Sequence, residues 1–288
     1  TPMLIHHIFD FQNDDFRRLG DSYLYAKQQY GPIHDHLRVN YLGDPAMTLS
    51  RPKKRIILDD IVPANQLKAL DFVKITGHIN KDDNSSIDDT FNGKITLNVF
   101  DKKLNKNALN NDGNLLPILT YTEEGNPIVK ASGTVTNGKF TVEFYVPKDI
   151  NYELGEGRIL AYADNFAEKK SEAFDVFGNE KIQIGGINEN GIKDNQPPKV
   201  QLFMNNTHFA NGGITNENPS FLACITDDTG INSTGSGIGH DITAYLDGEV
   251  VNTFVLNEFY NSGEGNGCVN PSLASYQKGN VMYPFKNL

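Results

Sequence analysis

Residues 128–147, IVKASGTVTNGKFTVEFYVP, contain the strongest structural signal in the chain. Every second residue from Phe140 to Val146 is apolar, which is the period-two pattern of a strand that buries one face. Asn137-Gly138 precedes this run, and this pair best tolerates the positive φ angles of a type I′ turn. The pattern therefore predicts a β-hairpin with strands at 128–136 and 139–147.

The same alternation recurs on both sides of the hairpin. Ile95, Leu97 and Val99 alternate with polar residues, and further strand-like runs lie at 54–61, 71–79, 157–163 and 171–177. Polar turn clusters separate these runs, and no helical pattern intervenes. Short strands in this arrangement favour an antiparallel β-sandwich over residues 53–195.

A second β-domain is predicted for residues 196–288. The segment 185–198, GGINENGIKDNQPP, is typical of a linker, and alternation resumes at Val200 and again at 220–226. Asp247-Gly248 provides a second hairpin signal between runs 242–246 and 250–256. The final apolar run, 281–285, is expected to lack partner strands, so we expect this last domain to be truncated.

The first 52 residues have a different pattern. Apolar residues at spacings of three and four predict helix over residues 1–30, with Asn13-Asp14-Asp15 as a break and N-cap. Gly31-Pro32 ends that pattern. The turn Gly43-Asp44-Pro45 then leads into a short strand-like run before Arg51-Pro52.

Charge and hydropathy exclude several functions. The 288 residues carry a formal net charge of −10, and no segment is basic, so nucleic acid is an unexpected partner. No apolar run reaches the roughly 20 residues of a membrane-spanning helix. The chain opens at Thr1-Pro2 without a basic and then apolar leader, and we interpret it as an internal fragment.

The two cysteines are too few for a disulfide scaffold or a thiolate zinc site. One bridge between Cys224 and Cys268 remains an alternative for an exported protein. Cys224 lies in the strand-like run SFLACIT, 220–226, where a free buried cysteine is common. The sequence therefore favours two free thiols.

No catalytic, cofactor or metal set emerges from the remaining polar residues. His34-Asp35-His36 has a spacing that offers two metal ligands, but no neighbouring third ligand completes the set. His240 with Cys268 would be a dyad only if the fold joined them. The carboxylates at 82–89, 188–194 and 227–228 are better explained as solvated turns than as a calcium site. On these residues alone the chain is a binding or structural module.

Five runs nevertheless resemble one family. VNYLGDPAMTLSRP (39–52), after the helix LGDSYLYAKQQY (19–30), resembles the end of the catalytic domain in gingipain-type cysteine peptidases. Four later runs resemble the region after the catalytic domain in the sortase-like peptidases of the Bacteroidetes type IX secretion system. They are NGKFTVEFYVPKDINYELGEGRILAYAD (137–164), IGGIN (184–188), NGGITNENPSFLACITDDTGIN (211–232) and GIGHDITAYLDG (237–248).

The resemblance implies a fold and a parent activity. It implies that residues 1–52 are the helical C-terminal end of a caspase-like α/β peptidase domain, followed by two immunoglobulin-like β-sandwich domains at 53–195 and 196–288. Such peptidases lie at the outer membrane, facing the cell surface, remove the C-terminal secretion domain of exported cargo, and attach the cargo to anionic lipopolysaccharide. The resemblance therefore implies three classes of partner: cargo proteins, other secretion-system components and the glycolipid.

The resemblance also places the catalytic Cys and His upstream of Thr1. No position here matches them, and Cys224 and Cys268 lie in the trailing β-region, so neither inherits the nucleophile role. The alternative is a non-enzymatic surface adhesin or carbohydrate-binding module with immunoglobulin-like repeats. We expect the fragment itself to have no catalytic, cofactor or metal residues.

Overall fold

The computed structural model describes residues 6–8, 11–12, 15–30, 40–49, 54–81, 85–109, 111, 117–166, 176–234, 241–251 and 253–288. The chain divides into two compact units, residues 1–52 and 53–288. The predicted boundary between two β-domains at residues 195 and 196 falls inside the second unit and stays a prediction.

The first unit contains one long helix among its described residues. Helix α1 is Leu19–Tyr30, which confirms the second half of the predicted helical region. The first half is partly wrong, because strands β1 (Phe11–Gln12) and β2 (Asp15–Phe16) pair antiparallel there. Residues 13 and 14 of the Asn-Asp-Asp sequence, which we interpreted as a break and N-cap, lie outside the described residues.

The second unit consists mainly of strands, which confirms the predicted β class. Its described strands are β3 Lys54–Val62, β4 Gln66–Ala69, β5 Phe72–Ile79, β6 Gly93–Phe100, β7 Leu104–Asn107, β8 Thr120–Glu123, β9 Pro127–Thr136, β10 Lys139–Tyr145, β11 Gly155–Asp164, β12 Val176–Ile187, β13 Lys199–Met204, β14 Ser220–Thr226, β15 Thr243–Ala244, β16 Phe254–Val255, β17 Tyr260–Ser262 and β18 Lys278–Pro284. Two 3₁₀ turns, Asn257–Phe259 and Ser275–Gln277, precede β17 and β18.

Residues 54–187 form what we call the first β body. Its strands pair in the order β11-β6-β9-β10-β5-β3-β12, and β12 pairs again with β11, so the hydrogen-bonded sheet closes on itself. Strand β12 runs parallel to β3 and β4, and the other pairs are antiparallel. The alternating residues Ile95, Leu97 and Val99 are fully buried in the core that this sheet encloses.

The predicted hairpin at 128–147 is confirmed. Strands β9 and β10 pair with Lys139 opposite Thr136, and Asn137 and Gly138 have φ angles of 49° and 72°. The turn is also fixed from outside, because the Gly138 N–H donates to the Phe91 carbonyl at 2.8 Å. Four of the other predicted strands correspond to β3, β5, β6 and β11. The fifth, 171–177, overlaps the start of β12, and its residues 171–175 lie outside the described part of the chain.

The predicted linker begins too early. Strand β12 continues through Gly185 and Gly186 to Ile187, so the irregular connection starts at residue 188. Gly186 has a φ of 75°, and the β12–β4 register shifts between Ile184 and Ile187. Glycines in a strand often mark such a bulge, and here the sequence signal of a linker comes from a bulge inside the sheet.

Residues 199–288 form what we call the second β body. Its main sheet has the order β13-β14-β18-β17, so β18 is paired on both sides. The expected lack of partners for 281–285 is therefore wrong. Its partners, β14 and β17, come earlier in the chain, and a local sequence pattern does not show such long-range pairing.

The second hairpin signal is only partly right. Asp247 and Gly248 do have positive φ angles, 52° and 78°. However, β15 pairs with β16 through Ala244 and Phe254, so a long loop replaces the expected two-residue connection. The period-two run at Val200 is a strand, but it forms the sheet edge, and Val200 and Leu202 are 53% and 63% exposed.

Candidate functional site

A cleft of about 540 Å³ lies between the first and second β bodies. Its lining includes residues of β9 and β10 and the second body's Tyr260 and Ser262. Three loop segments also line it: 146–149, 192–195 and 229–234. This volume is within the usual range of about 300–1,000 Å³ for small-ligand pockets.

Direct hydrogen bonds join the two β bodies beside the cleft. The Ser132 hydroxyl on β9 donates to the Ser262 carbonyl at 2.6 Å, and both residues are buried. Lys130 Nζ on the same strand donates to the Tyr260 carbonyl at 3.2 Å. Because these side chains occupy polar positions of an alternating strand, the outer face of that strand becomes an internal interface.

An aromatic cluster fixes a second point of contact. Tyr276, in the 3₁₀ turn before β18, has its ring centroid 5.7 Å from that of Phe72 and 5.8 Å from that of Tyr145. Phe72 and Tyr145 are 5.0 Å apart. These rings meet at tilted or edge-on angles, the favourable geometry for aromatic pairs. Burial raises the pKa of Tyr276, with further increases from Tyr145 and Glu143, so the hydroxyl stays neutral.

Positively and negatively charged side chains line the cleft. Lys148-Asp149 lies on the first body's side, and Lys193-Asp194 lies on the connection. Asp194 Oδ2 accepts a hydrogen bond from the Thr229 hydroxyl at 2.5 Å. That bond, with backbone donors at Gln196 and Asn195, holds the pKa of Asp194 below its ordinary value.

The described lining of the cleft carries hydroxyl, ammonium and carboxylate groups. Its described lining contains no cysteine and no histidine, whereas acyl transfer by a cysteine peptidase needs an activated thiolate beside a base.

In the first unit, the Leu-Gly-Asp-Pro-Ala sequence forms an ordered turn against α1. The Ala46 N–H donates to Asp44 Oδ1 at 2.9 Å, which is an Asx turn. The first N–H groups of the helix, those of Leu19 and Gly20, donate to the carbonyls of Met47 and Pro45. The turn therefore supplies acceptors to helix donors that would otherwise lack partners.

The expectation of two free cysteines is wrong. Cys224, on β14, and Cys268 form a disulfide, with Cα atoms 5.5 Å apart. The segment around Cys268 folds back because Lys278 Nζ donates to the Asn270 carbonyl and pairs with Glu264, and this brings the sulfur to the sheet. Since both sulfurs are bonded, neither Cys224 nor Cys268 presents a thiolate.

The other candidate groups do not assemble into a site within the described part of the chain. His34-Asp35-His36, His240 and Asp82-Asp83 lie outside the described residues. Asp88 pairs with Lys54, and Asp227 Oδ1 accepts from the backbone N–H of Thr229 in a local turn. No group of three or more His, Cys, Asp or Glu among the described residues could hold a metal.

Sequence reasoning missed the cleft. One signal for it was present, because Tyr145 is a large aromatic residue at a polar position of an otherwise regular strand. Such a residue gains by burying its ring against a neighbouring surface. Tyr276 gave no such signal, since it lies in a segment without periodicity.

Comparison with known proteins gives partial matches. No protein-family model matches the chain, and no curated protein matches it. The crystal structure of dimeric latent PorU from Porphyromonas gingivalis is 28% identical, covers 98% of this chain and 26% of its own, and has a TM-score of 0.47. This chain thus spans about a quarter of PorU.

A second solved structure is similar over a shorter part. Spo0M, a sporulation control protein from Bacillus subtilis, is 12% identical over 63% of this chain and 77% of its own, with a TM-score of 0.26. Among the described residues, no helix is both long and apolar enough to span a membrane.

Proposed function

We propose that this chain is the non-catalytic C-terminal portion of a sortase-like cysteine endopeptidase of the type IX secretion system. The parent enzyme removes the C-terminal signal domain of exported cargo and attaches the cargo to anionic lipopolysaccharide at the cell surface. Residues 1–52 complete the peptidase domain, and the two β bodies hold it in the secretion assembly at the outer membrane.

The observation that carries this proposal is the order of the five family-like sequence runs. They coincide with positions on which the fold depends. The run at 39–52 contains the turn that supplies acceptors to α1, and the run at 137–164 spans the hairpin turn, β10 and β11. The runs at 184–188 and 211–232 contain the bulge in β12 and all of β14.

The disulfide supports an exported protein. Bridges form and persist in oxidising compartments and are rare in the cytosol. The bonded state of Cys224 and Cys268 also agrees with a nucleophile supplied by another part of the parent enzyme.

The alternative of a carbohydrate-binding module receives less support from the cleft. The rings of Tyr145, Tyr276 and Phe72 pack against one another. Their contacts stabilise the joint between the β bodies.

The deciding experiment begins with the coding sequence upstream of the Thr1 codon. We expect a His followed by a Cys in a caspase-like α/β domain, whereas further β-repeats would favour the adhesin. The full parent protein should then cleave a cargo protein that carries a C-terminal secretion domain, and replacing the upstream Cys by Ala should abolish cleavage.

A matched control uses the bridge. The double variant Cys224→Ser/Cys268→Ser of the parent protein should still cleave cargo at a temperature where it is folded, since these sulfurs are structural. Loss of cleavage in that folded variant, with activity retained in the upstream Cys→Ala variant, would overturn the proposal.

A further inference from the structure

The hairpin strands β9 and β10 separate soon after their turn. Their last paired residues are Val135 and Phe140, and beyond this pair the two strands have no register partners in each other. Each strand stays paired on its other side, β9 with β6 as far as Pro127 and β10 with β5 as far as Tyr145. A gap therefore opens in the sheet of the first β body, and we call it the β9–β10 gap.

The cleft between the β bodies reaches into this gap. Ile128 and Ala131 line the cleft from β9, whereas Phe144 and the following Val146 line it from the β10 side. All four side chains are buried members of the core of the first β body. A ligand that enters the gap therefore meets the core side of both strands, where an apolar side chain gains by leaving water.

Main-chain groups of both strands are directed into the gap. Residues of an antiparallel strand form their main-chain hydrogen bonds alternately with one neighbour and with the other. Val146 forms both of its main-chain bonds with the segment before β5, so the main chains of Tyr145 and Glu143 face the gap. Thr136 pairs with β10 at the turn, and the same alternation directs the main chain of Lys130 into the gap. Open strand edges of this kind accept an added strand.

A buried hydroxyl also lines the cleft from the second β body. Ser233 is only 4% exposed, and its Oγ has no hydrogen-bond partner among the described residues. The Ser233 carbonyl accepts from Asn257 Nδ2 at 3.0 Å, which holds the residue in place. An unsatisfied buried hydroxyl is costly, so a ligand gains affinity when one of its own polar groups bonds to this oxygen.

The lining of the cleft has an excess of positive charge, although the whole chain has a net charge of −10. Its charged residues are Lys130, Lys148, Lys193, Asp149 and Asp194. Both oxygens of Asp194 already accept hydrogen bonds, one from the Thr229 hydroxyl and one from the Gln196 N–H. The lysines therefore favour a ligand that carries an acidic group.

We propose that the β9–β10 gap binds an extended acidic peptide of a partner protein, which inserts as an additional strand. The main chain of the peptide pairs with the open edges, and its alternate apolar side chains face the core of the first β body. In strand addition, main-chain bonds provide affinity and side-chain pockets provide specificity. A strand advances about 3.3 Å per residue, so the part of β10 beyond Phe140 pairs with about five peptide residues. This binding is separate from the chemistry of the parent enzyme.

Amide-resolved hydrogen exchange of the full chain, with and without a peptide, tests the insertion. The probe has about eight residues, alternates valine with threonine and ends in glutamate. In the free chain, the amides of Lys130, Glu143 and Tyr145 should exchange faster than those of Ala131 and Phe144, whose main chains face β6 and β5. Saturating probe should slow the first group by about tenfold or more. Full protection of that group in the free chain, or no saturable binding up to about 1 mM probe, would overturn the proposal.

Two altered probes separate strand pairing from other modes of binding. A probe with N-methyl groups at alternate residues keeps its side chains but loses donors along one edge, so it should bind about tenfold more weakly. Equal affinity of this probe would mean that no strand is inserted. A probe that ends in lysine should bind about three- to tenfold more weakly at low salt, and tighter binding would contradict the acidic ligand.

Protein variants locate the site. Ile192 lines the cleft from the connection and is 54% exposed, so Ile192→Trp fills the cleft from outside the core and should weaken binding by about tenfold. Ser233→Ala removes the unpartnered hydroxyl and should weaken binding by about three- to tenfold. The control is Ile214→Trp, which changes a 98% exposed residue outside the cleft lining and should bind as the wild type does. Wild-type affinity in both Ile192→Trp and Ser233→Ala would place the peptide elsewhere and overturn the proposal.

Discussion

Replacing Gly138 by alanine should destabilise the first β body more than the same change at any glycine with free space. Gly138 has a φ of 72°, which costs a residue with a Cβ about 1–2 kcal/mol. A Cβ built there would also lie 2.3 Å from the Asp88 carbonyl oxygen, which is backbone and held by the Phe91 N–H. Forcing an atom into such a site costs about 1–3 kcal/mol more.

Gly186 is the matched control in the same β body. Its φ is 75°, but the nearest atom to a built Cβ is Gln66 Nε2 at 3.6 Å, which is an ordinary contact. Gly186→Ala should therefore lower the free energy of unfolding only by the cost of a positive φ angle, about 1–2 kcal/mol. Gly138→Ala should cost about 2–5 kcal/mol in total.

Hydrogen exchange in increasing urea measures this difference where it arises. The peptide that covers β10 reports unfolding of the first β body alone, so unfolding of the second β body does not contribute to the measured midpoint. Since the slope of the free energy of unfolding against urea is about 1–3 kcal/mol/M, the Gly138→Ala midpoint should be lower than the Gly186→Ala midpoint by about 0.3–3 M urea. Equal midpoints would refute the reasoning that the Asp88 carbonyl closes this site to a side chain.

Three further predictions concern the second β body and the connection. Cys268→Ser should lower the free energy of unfolding by about 4 kcal/mol, the loop-entropy value for the 44-residue separation from Cys224, and reductant should then have no added effect on urea denaturation. Tyr276→Ala should lower the free energy of unfolding by about 1–3 kcal/mol, because two aromatic pairs are lost, and should speed hydrogen exchange in β10. The control Tyr283→Ala removes a ring outside the joint and should leave exchange in β10 unchanged. Because the folded pKa of Asp194 is lowered, its bond to Thr229 stabilises the connection above the unfolded pKa of about 3.9 and is lost as pH falls through the folded value. The protection factor of the amides near residue 194, which corrects for the intrinsic pH dependence of exchange, should therefore fall only in acid. The same profile in Thr229→Val would contradict the assignment.

The sequence predicted those elements whose determinants are local. The 128–147 hairpin needs only alternation and an Asn-Gly turn, both of which lie within a few residues of each other. The bulge at Gly185 and Gly186 has the composition of a linker, and its inclusion in β12 depends on pairing with β4 and β11. Local composition does not record that pairing, because it depends on contacts between distant segments.

The same limit applies to the candidate site. The cleft arises where the outer face of β9 meets Tyr260 and Ser262, and no spacing rule relates these segments. The disulfide was also underestimated, since the strand pattern around Cys224 is equally compatible with a free thiol. The fold, by contrast, brings Cys268 beside it through the Lys278 contacts.

The closed sheet of the first β body has a consequence for the order of folding. Its first strand, β3, can pair with β5 early, but its other edge is completed only by β12, the last strand of the body. Until β12 emerges from the ribosome or a translocation pore, β3 and β11 both present open edges, which attract other chains. A nascent chain that stalls before residue 176 therefore has two unpaired strand edges that favour aggregation. We expect the interval between synthesis of β11 and of β12 to be the one in which a chaperone is most needed.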